Sequence, residues 1–341
     1  MALLKRKSDV IDQSLKDFLP SRGSSPYAEI NDYYEMLWDY NTRGGKRLRP
    51  ALVFFSCEMF GGDSSKAIPS AVALELMHNF LLVHDDIQDG SELRRGKPTL
   101  HKIYGEGTAI NAGDGLFART WSTLNANRKL IGATKTLRIF SEFAEICNYT
   151  VEGQALEMGI VRKGRWDIGE SDYYKLVELK TAHYTTTYPL RIGAVVAGAP
   201  ARDVKAFNSF GKSFGTAFQI QDDLLNLMGE EGKYGKEIAG DIYEGKRTLP
   251  LLHLFRKCNP KEREGMVAVM NKPRHQKTEE DVQLILTKMK EKGSIDYARE
   301  KMTAFAKEAK ANFEKKFGHI ADNEGKRAIK LLIDFVIERQ V

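Results

Sequence analysis

Apolar residues recur three and four positions apart through most of the chain. Val72, Leu76, Phe80 and Val83 mark one stripe, and Phe207, Phe210, Phe214 and Phe218 mark another. That spacing places side chains on one face of an α-helix. Strict alternation bounded by hairpin turns is scarce, so the pattern predicts an all-α protein. Long helices are expected near 66–89, 106–126, 132–160, 171–198 and 202–228, within a set of about a dozen. Breaks are expected where Gly, Pro and Ser cluster, at 20–26, 61–65, 229–235 and 271–275. No linker rich in those residues divides the chain and no solenoid-length repeat occurs, which predicts one domain over 1–341. Residues 276–341 are more charged and weakly amphipathic, and read as peripheral helices closing the bundle.

Composition narrows the class. With 341 residues, 42% of them hydrophobic, the chain can bury a substantial core. Cys57, Cys147 and Cys258 are far apart and form no CxxC pair, which argues against a disulfide framework or a thiolate metal site and for a reducing compartment. The start, Met1 to Lys7, lacks an apolar run of signal-peptide length, and no stretch of eighteen apolar residues occurs, so a cytoplasmic protein without a transmembrane segment is expected. The net charge of +6 comes from 52 basic and 46 acidic residues, mostly interleaved as on solvated helix faces. No basic stripe with interleaved aromatics suggests nucleic acid. The distinctive basic residues instead sit in short Gly-containing segments, as phosphorylated small molecules would require.

Two acidic clusters carry the chemistry. Leu81-Leu-Val-His-Asp-Asp-Ile-Gln-Asp89 puts Asp85 and Asp89 four apart, on one helix face, at the end of an apolar run. Phe218-Gln-Ile-Gln-Asp-Asp-Leu-Leu-Asn226 repeats the arrangement with Asp222 and Asn226. Carboxylates at this density need a compensating positive charge, and oxygen-only donors suit a hard cation such as Mg2+. His84-Asp85 could also be read as the pair of a metal-dependent phosphohydrolase, but that needs further His ligands, and His78 and His101 are badly placed. Arg43-Gly-Gly-Lys-Arg-Leu-Arg-Pro50 puts Lys46 and Arg49 at a helix start behind two glycines, a setting suited to phosphate. Arg94-Arg95-Gly96 follows the first acidic cluster; Lys236 and Lys246 follow the second. Two diphosphates side by side need such a division, one held through metal ions and the other by Arg and Lys directly.

From Gly44-Gly45-Lys46 through Gly153-Gln154-Ala155-Leu156-Glu157 and Lys180-Thr181 to Lys246-Arg247-Thr248-Leu249-Pro250, the order and spacing resemble the trans-isoprenyl diphosphate synthases, and among them most closely the geranylgeranyl diphosphate synthases. The resemblance implies a single large helical bundle of the isoprenoid synthase type with a central active-site cavity, and a homodimer. It implies a prenyltransferase that condenses isopentenyl diphosphate with dimethylallyl, geranyl or farnesyl diphosphate, using three Mg2+ ions per site. By the same resemblance Lys46, Arg49, His78 and Arg95 bind isopentenyl diphosphate, whereas Arg94, Lys180, Lys236 and Lys246 contact the allylic diphosphate. Asp85, Asp89 and Asp222 match direct metal ligands and Asp86 and Asp223 outer partners, while Lys180, Thr181 and Gln219 face the reacting carbon. Many members carry Asp where this chain has Asn226, which offers an oxygen but no charge. Gly153 to Glu157 can equally be helix-packing residues.

Phe80, five positions before Asp85, is about 7.5 Å back along the helix and, with Met77 and Leu81, is expected to stop the growing tail at twenty carbons. Ordinary core packing is the alternative for such a Phe. A farnesyl synthase, with an earlier stop at Leu81 or on a facing helix near Tyr184, a longer-chain synthase, a terpene cyclase and a non-catalytic subunit are the competing functions. The cyclase needs no second diphosphate site, and the subunit could lose one acidic cluster without consequence.

Overall fold

The computed structural model describes residues 2–228 and 238–338. Its helices run in order α1 (Ala2–Ser14), α2 (Ala28–Thr42), α3 (Leu48–Met59), α4 (Ile68–Gln88), α5 (Leu100–Tyr104), α6 (Glu106–Asn125), α7 (Asn127–Ile131), α8 (Ala133–Arg162) and α9 (Glu170–Val177). A π-helical stretch, Glu178–Thr187, leads into α10 (Tyr188–Ala197) and α11 (Ala201–Met228). Beyond the undescribed 229–237 come α12 (Gly240–Glu244), α13 (Leu249–Lys257), α14 (Pro260–Met270), α15 (Glu279–Glu291), α16 (Ser294–Phe317) and α17 (Glu324–Glu338). The long helices expected from periodicity are present within a few residues, except that 171–198 is opened by the π turn.

Contacts divide the chain into two units, each assembled from separate stretches. The first comprises Met1–Glu145, Thr185–Asn208 and Lys316–Leu331; the second comprises Ile146–Tyr184, Ser209–Lys315 and Leu332–Val341.

In the first unit α4 packs on α6, and α3 packs on α10 and α4. The apolar stripe read from the sequence is the reason: Val72, Leu76 and Met77 of α4 and Leu52 and Val53 of α3 are fully buried. The α3–α10 approach needs Gly193, where a Cβ would lie 2.2 Å from the Val53 carbonyl oxygen. Ser64–Gln88 is apolar and long enough to cross a membrane by length and composition, and 67% of its apolar 18-residue window is buried inside the protein. The chain enters α3 through Gly44 (φ 83°) and Gly45 (φ 135°), and Arg47 itself is left-handed (φ 47°), a conformation that disfavours side chains.

Among the described residues the one sheet is a hairpin absent from the periodicity, Leu93–Arg94 against Lys97–Pro98, with Arg94 opposite Lys97. Its turn residues Arg95 (φ 52°) and Gly96 (φ 74°) are both left-handed, as a tight two-residue hairpin requires.

The second unit is built on the later part of α11, where Phe210 and Phe214 stack at 5.5 Å and Phe313 of α16 meets Phe210 edge-on at 5.1 Å. Helices α14 and α15 are each started by a capping box, Asn259 with Glu262 and Thr278 with Asp281. Residues 276–341, read from sequence as peripheral, supply fully buried side chains: Ile285 and Phe313 in this unit, Phe317 and Ile329 in the first.

Candidate active site

Helix geometry separates the three aspartates at the end of α4. Asp85 and Asp89 share a face and are half-buried, whereas Asp86 turns inward and is 1% exposed. Asp86 accepts the Tyr40 hydroxyl at 2.7 Å and the Arg94 Nε at 3.0 Å, with Arg94 Nη2 closing the fork. Burial works against the Arg94 charge, but Asp86 outweighs it and holds the guanidinium above its ordinary value. Burial, then Asp86, pushes the Tyr40 phenol up. Arg94, matched by sequence to the allylic diphosphate, is thus 5% exposed and committed through two of its nitrogens to Asp86.

The basic residues of this unit converge on His78. Arg49 Nη1 lies 3.2 Å from His78 Nε2, and Arg49 Nη2 donates to Thr185 Oγ1 at 2.9 Å. Burial, then Arg49 and Arg95, keeps the His78 ring neutral, its pKa well below the ordinary value. Arg95 donates to the Tyr40 carbonyl at 2.6 Å and makes no salt bridge among the described residues. Burial, with Arg47, Arg94 and Arg49 opposing only Glu75, lowers its pKa to about 10. Gly45 makes room for it, since a Cβ there would stand 3.4 Å from the guanidinium. Arg47, which motif spacing left out, is neutralised by Glu75 at 2.5 Å and Asp12 at 2.9 Å. Lys46 is exposed at the head of α3. Arg95, buried and with its pKa lowered, stands on this side with Lys46 and Arg49, and a penalised guanidinium gains from an anion.

Phe80 is the start of an aromatic series that its own helix could not reveal. Its ring lies 4.8 Å from His84 and 4.9 Å from Phe117 of α6; Trp121 follows Phe117 at 5.7 Å, and Phe140 of α8 follows at 5.8 Å. Met77 is fully buried and Leu81 partly so. His84, the residue of the phosphohydrolase alternative, reaches Asp114 at 3.5 Å. Among the described residues no three His, Cys, Asp or Glu side chains are grouped to hold a metal.

In the second unit the π stretch carries Lys180 and Thr181. Gly153 of α8 lets it approach: a Cβ there would lie 2.5 Å from the Lys180 backbone nitrogen. Gly153 is thus a packing residue, and Glu157, one turn on, pairs with the Lys180 ammonium. A hydrogen-bond chain links the rest: Thr181 Oγ1 donates to Gln219 Oε1 at 2.8 Å, Gln219 Nε2 to Asp223 Oδ1 at 2.8 Å, and the Tyr173 hydroxyl to Asp223 Oδ2 at 2.7 Å. Burial, then Asp241, pushes the Asp223 carboxyl well up. Asp222, one residue earlier, is half-buried on a different face of α11. Asn226 is 4% exposed and accepts the Asp241 N–H at 3.2 Å, so its amide oxygen holds the start of α12. Lys246 lies 2.6 Å from Glu244 and 4.0 Å from Asp241. Lys236 lies outside the described residues. Asp241, Tyr40 and Tyr173 were missed by motif reading, because each acts through a fold contact distant in sequence.

The donor set fits Mg2+. Asp85 and Asp89 offer oxygen alone, on one face of a helix C-terminus whose dipole adds to the negative field, and magnesium is commonly held by one or two carboxylates together with substrate phosphates.

Comparison with known proteins gives the family. A geranylgeranyl pyrophosphate synthase from Geoglobus acetivorans is 34% identical over 337 residues, covering 99% of this chain and 98% of that one. The solved geranylgeranyl pyrophosphate synthetase from Pyrococcus horikoshii superposes with a TM-score of 0.85 at 33% identity, covering 99% of both chains. A polyprenyl synthase from Caulobacter crescentus, solved with calcium and isoprenyl diphosphate, gives a TM-score of 0.85 at 28% identity over 100% of this chain and 98% of that one. These neighbours share the all-α isoprenoid synthase fold, and since residues 31–289 match the polyprenyl synthetase family, this chain belongs to that family.

Proposed function

We propose that the chain condenses isopentenyl diphosphate with allylic diphosphates in head-to-tail trans fashion, that Mg2+ is its cofactor, and that geranylgeranyl diphosphate is its main product. The observation that carries this reading is the division of charge in the first unit. An oxygen-only acidic pair, Asp85 and Asp89, ends α4, while Arg49, Arg95 and a neutral His78 form a separate cationic set. A terpene cyclase would have no use for the second of these.

Asp85, Asp89 and Asp222 would hold the metal. When bound, Mg2+ neutralises the diphosphate as it leaves the allylic carbon. Lys180 and Lys246 hold that diphosphate directly, and the undescribed Lys236 belongs to the same set. Lys46, Arg49, His78 and Arg95 hold isopentenyl diphosphate and aim its double bond. Arg94 acts mainly through Asp86, fixing the helix end from which Asp85 and Asp89 project. Thr181 and Gln219 orient their oxygens through the chain to Asp223, so that lone pairs face the positive charge developing on the allylic carbon. Aliphatic and aromatic side chains exclude the water that would quench it, and the final proton goes to the released diphosphate.

We further propose a cytoplasmic homodimer. The three cysteines are free, which suits a reducing compartment. In the first unit Ile110 of α6 and Leu137 of α8 are 43% and 69% exposed, apolar positions that a second copy would cover.

The test is product analysis of the purified chain with labelled isopentenyl diphosphate, each allylic starter, and Mg2+ present or chelated. A twenty-carbon product dependent on isopentenyl diphosphate and on the metal is expected. Cyclised product without isopentenyl diphosphate, or no product from the chain alone, would overturn it in favour of a cyclase or a subunit.

A further inference from the structure

Arg47 caps the start of α3 in a left-handed conformation (φ 47°), and its carbonyl accepts the Ala51 N–H at 3.0 Å. A residue other than glycine keeps such a backbone only where its surroundings over-determine it. The side chain shows what does so. It is 1% exposed, and its guanidinium ties together three helices of the first unit. Nη1 donates to Glu75 Oε1 of α4 at 2.5 Å, Nε to Asp12 Oδ1 of α1 at 3.0 Å, and Nη2 to the Asn41 carbonyl of α2. Lys46 precedes this anchor directly, and Arg49 follows it in the first turn of α3. Two side chains of the cationic set thus take their bearing from a residue whose three nitrogens are already engaged.

Glu75 stands three positions before His78, on the same face of α4, with its side chain 2% exposed. Asn79 braces it, donating to Glu75 Oε1 at 3.3 Å and to Asn41 Oδ1 at 2.9 Å. Gly45 lies where two guanidinia come together: a Cβ there would be 3.4 Å from that of Arg95 and 3.7 Å from Arg47 Nη1. Like charges at this spacing need a counter-charge. Burial works against the charge on Arg95, as do Arg47, Arg94 and Arg49, whereas Glu75 favours it. By its field a carboxylate here repels an anionic ligand; by its contacts it holds the groups that attract one.

We propose that Arg47 and Glu75 are positioning residues for isopentenyl diphosphate: joined between α3 and α4, they hold Lys46 and Arg49 in register with His78 and Arg95, so that the diphosphate meets a set already in place. This rests on the reading of those four residues as the isopentenyl set. Arg47 fixes the backbone from which Lys46 and Arg49 project. Glu75 holds Arg47 and is the counter-charge that lets Arg95 stand beside it. Asp12 completes the pair from α1, and its side chain is 46% exposed.

The test measures KM separately for isopentenyl diphosphate and geranyl diphosphate, with kcat and Tm, in Glu75→Gln, which keeps the shape and an acceptor for Arg47. The isopentenyl KM should rise roughly tenfold while the geranyl KM and kcat move less than about twofold. A field effect alone predicts the opposite sign, so a lower or unchanged isopentenyl KM would overturn the proposal. The double variant Arg47→Met with Glu75→Leu removes both charges, and apolar replacement of a buried ion pair is often neutral for stability. It should regain the wild-type Tm and still show the raised isopentenyl KM. A KM that recovers together with Tm, or two KM values that rise together, would make the pair a structural anchor and overturn the proposal. If Glu75→Gln does not fold, Asp12→Asn is read in its place, with a rise of about threefold confined to the isopentenyl KM; no rise would overturn the proposal. Arg49→Ala separates the two levels. An unchanged isopentenyl KM there would remove the isopentenyl set and this proposal with it, whereas a raised one beside a silent Glu75→Gln would sink this proposal alone.

Discussion

At the scale of single residues, helix position decides what each charge is for. Removing a side chain from the Asp85 face takes away a proposed metal ligand, so Asp85→Ala is expected to lower kcat by about a hundredfold or more at saturating substrates, with an unchanged urea midpoint. Near-normal turnover would remove Asp85 from the metal set. Arg94→Ala acts elsewhere, because Asp86, 1% exposed, would lose its counter-charge. The expected cost is roughly 3–5 kcal/mol of stability, to be read by denaturant unfolding; an unshifted midpoint would show that Tyr40 alone satisfies the carboxylate. Arg49→Ala should chiefly raise the KM for isopentenyl diphosphate. His78 supplies a pH dependence. Its pKa is held well below the ordinary value by burial and then by Arg49 and Arg95, so below about pH 6.5 the unfolded chain takes up a proton that the folded chain refuses. Stability present above that pH is lost as pH falls toward the depressed pKa. His78→Asn should therefore show a shallower acid-side loss of unfolding midpoint than wild type, and parallel curves would count against a neutral buried ring.

At the scale of elements, two helices act through what lies across from them. The π stretch holds Lys180 and Thr181 against α8 because Gly153 leaves space for its backbone and because Pro189, in the first turn of α10, cannot donate to the turn before it. π segments inside α-helices often mark functional sites. Gly153→Ala forces a Cβ to within 2.5 Å of backbone, and overpacking of this kind costs about 1–3 kcal/mol; a melting shift with reduced turnover is expected, and wild-type values of both would mean the stretch yields freely. The other helix is α4. Phe80 is backed by Phe117, Trp121 and Phe140 in series, so Phe80→Ala should lengthen the product and leave the next rings to limit it. An unchanged product distribution would return Phe80 to ordinary packing.

At the scale of the whole molecule, the exposed apolar positions of α6 and α8 call for cover. Leu137, 69% exposed, lies on the face assigned to the proposed homodimer, where a second copy would take it out of water. Leu137→Glu is expected to shift the protein from the proposed dimer to a monomer in sedimentation while far-UV circular dichroism stays the same. A wild-type monomer, or a dimer unaffected by the charge, would place the interface on another face.

Much of this was legible in the sequence. A three-and-four spacing of apolar residues located the long helices, since burying one face is the same requirement wherever the helix packs. A four-residue spacing put Asp85 and Asp89 together, since helix pitch is local. The break in 171–198 was not legible, because π geometry there depends on how closely the stretch approaches α8 at Gly153, a contact distant in sequence. Nor was the hairpin that presents Arg94 and Arg95, two residues per strand being too short for a periodicity to show. The fates of the arginines were the least legible of all. Arg47, Arg49, Arg94, Arg95 and Arg247 are alike as letters, yet Glu75 and Asp86 neutralise two of them, His78 and Thr185 orient a third, and Arg95 and Arg247 are left with carbonyls. The sequence alone determined the helices, the acidic faces and the family. Only tertiary structure decided which arginines are neutralised, because that depends on partners eight residues away for Arg94 and 28 for Arg47 brought within hydrogen-bonding distance.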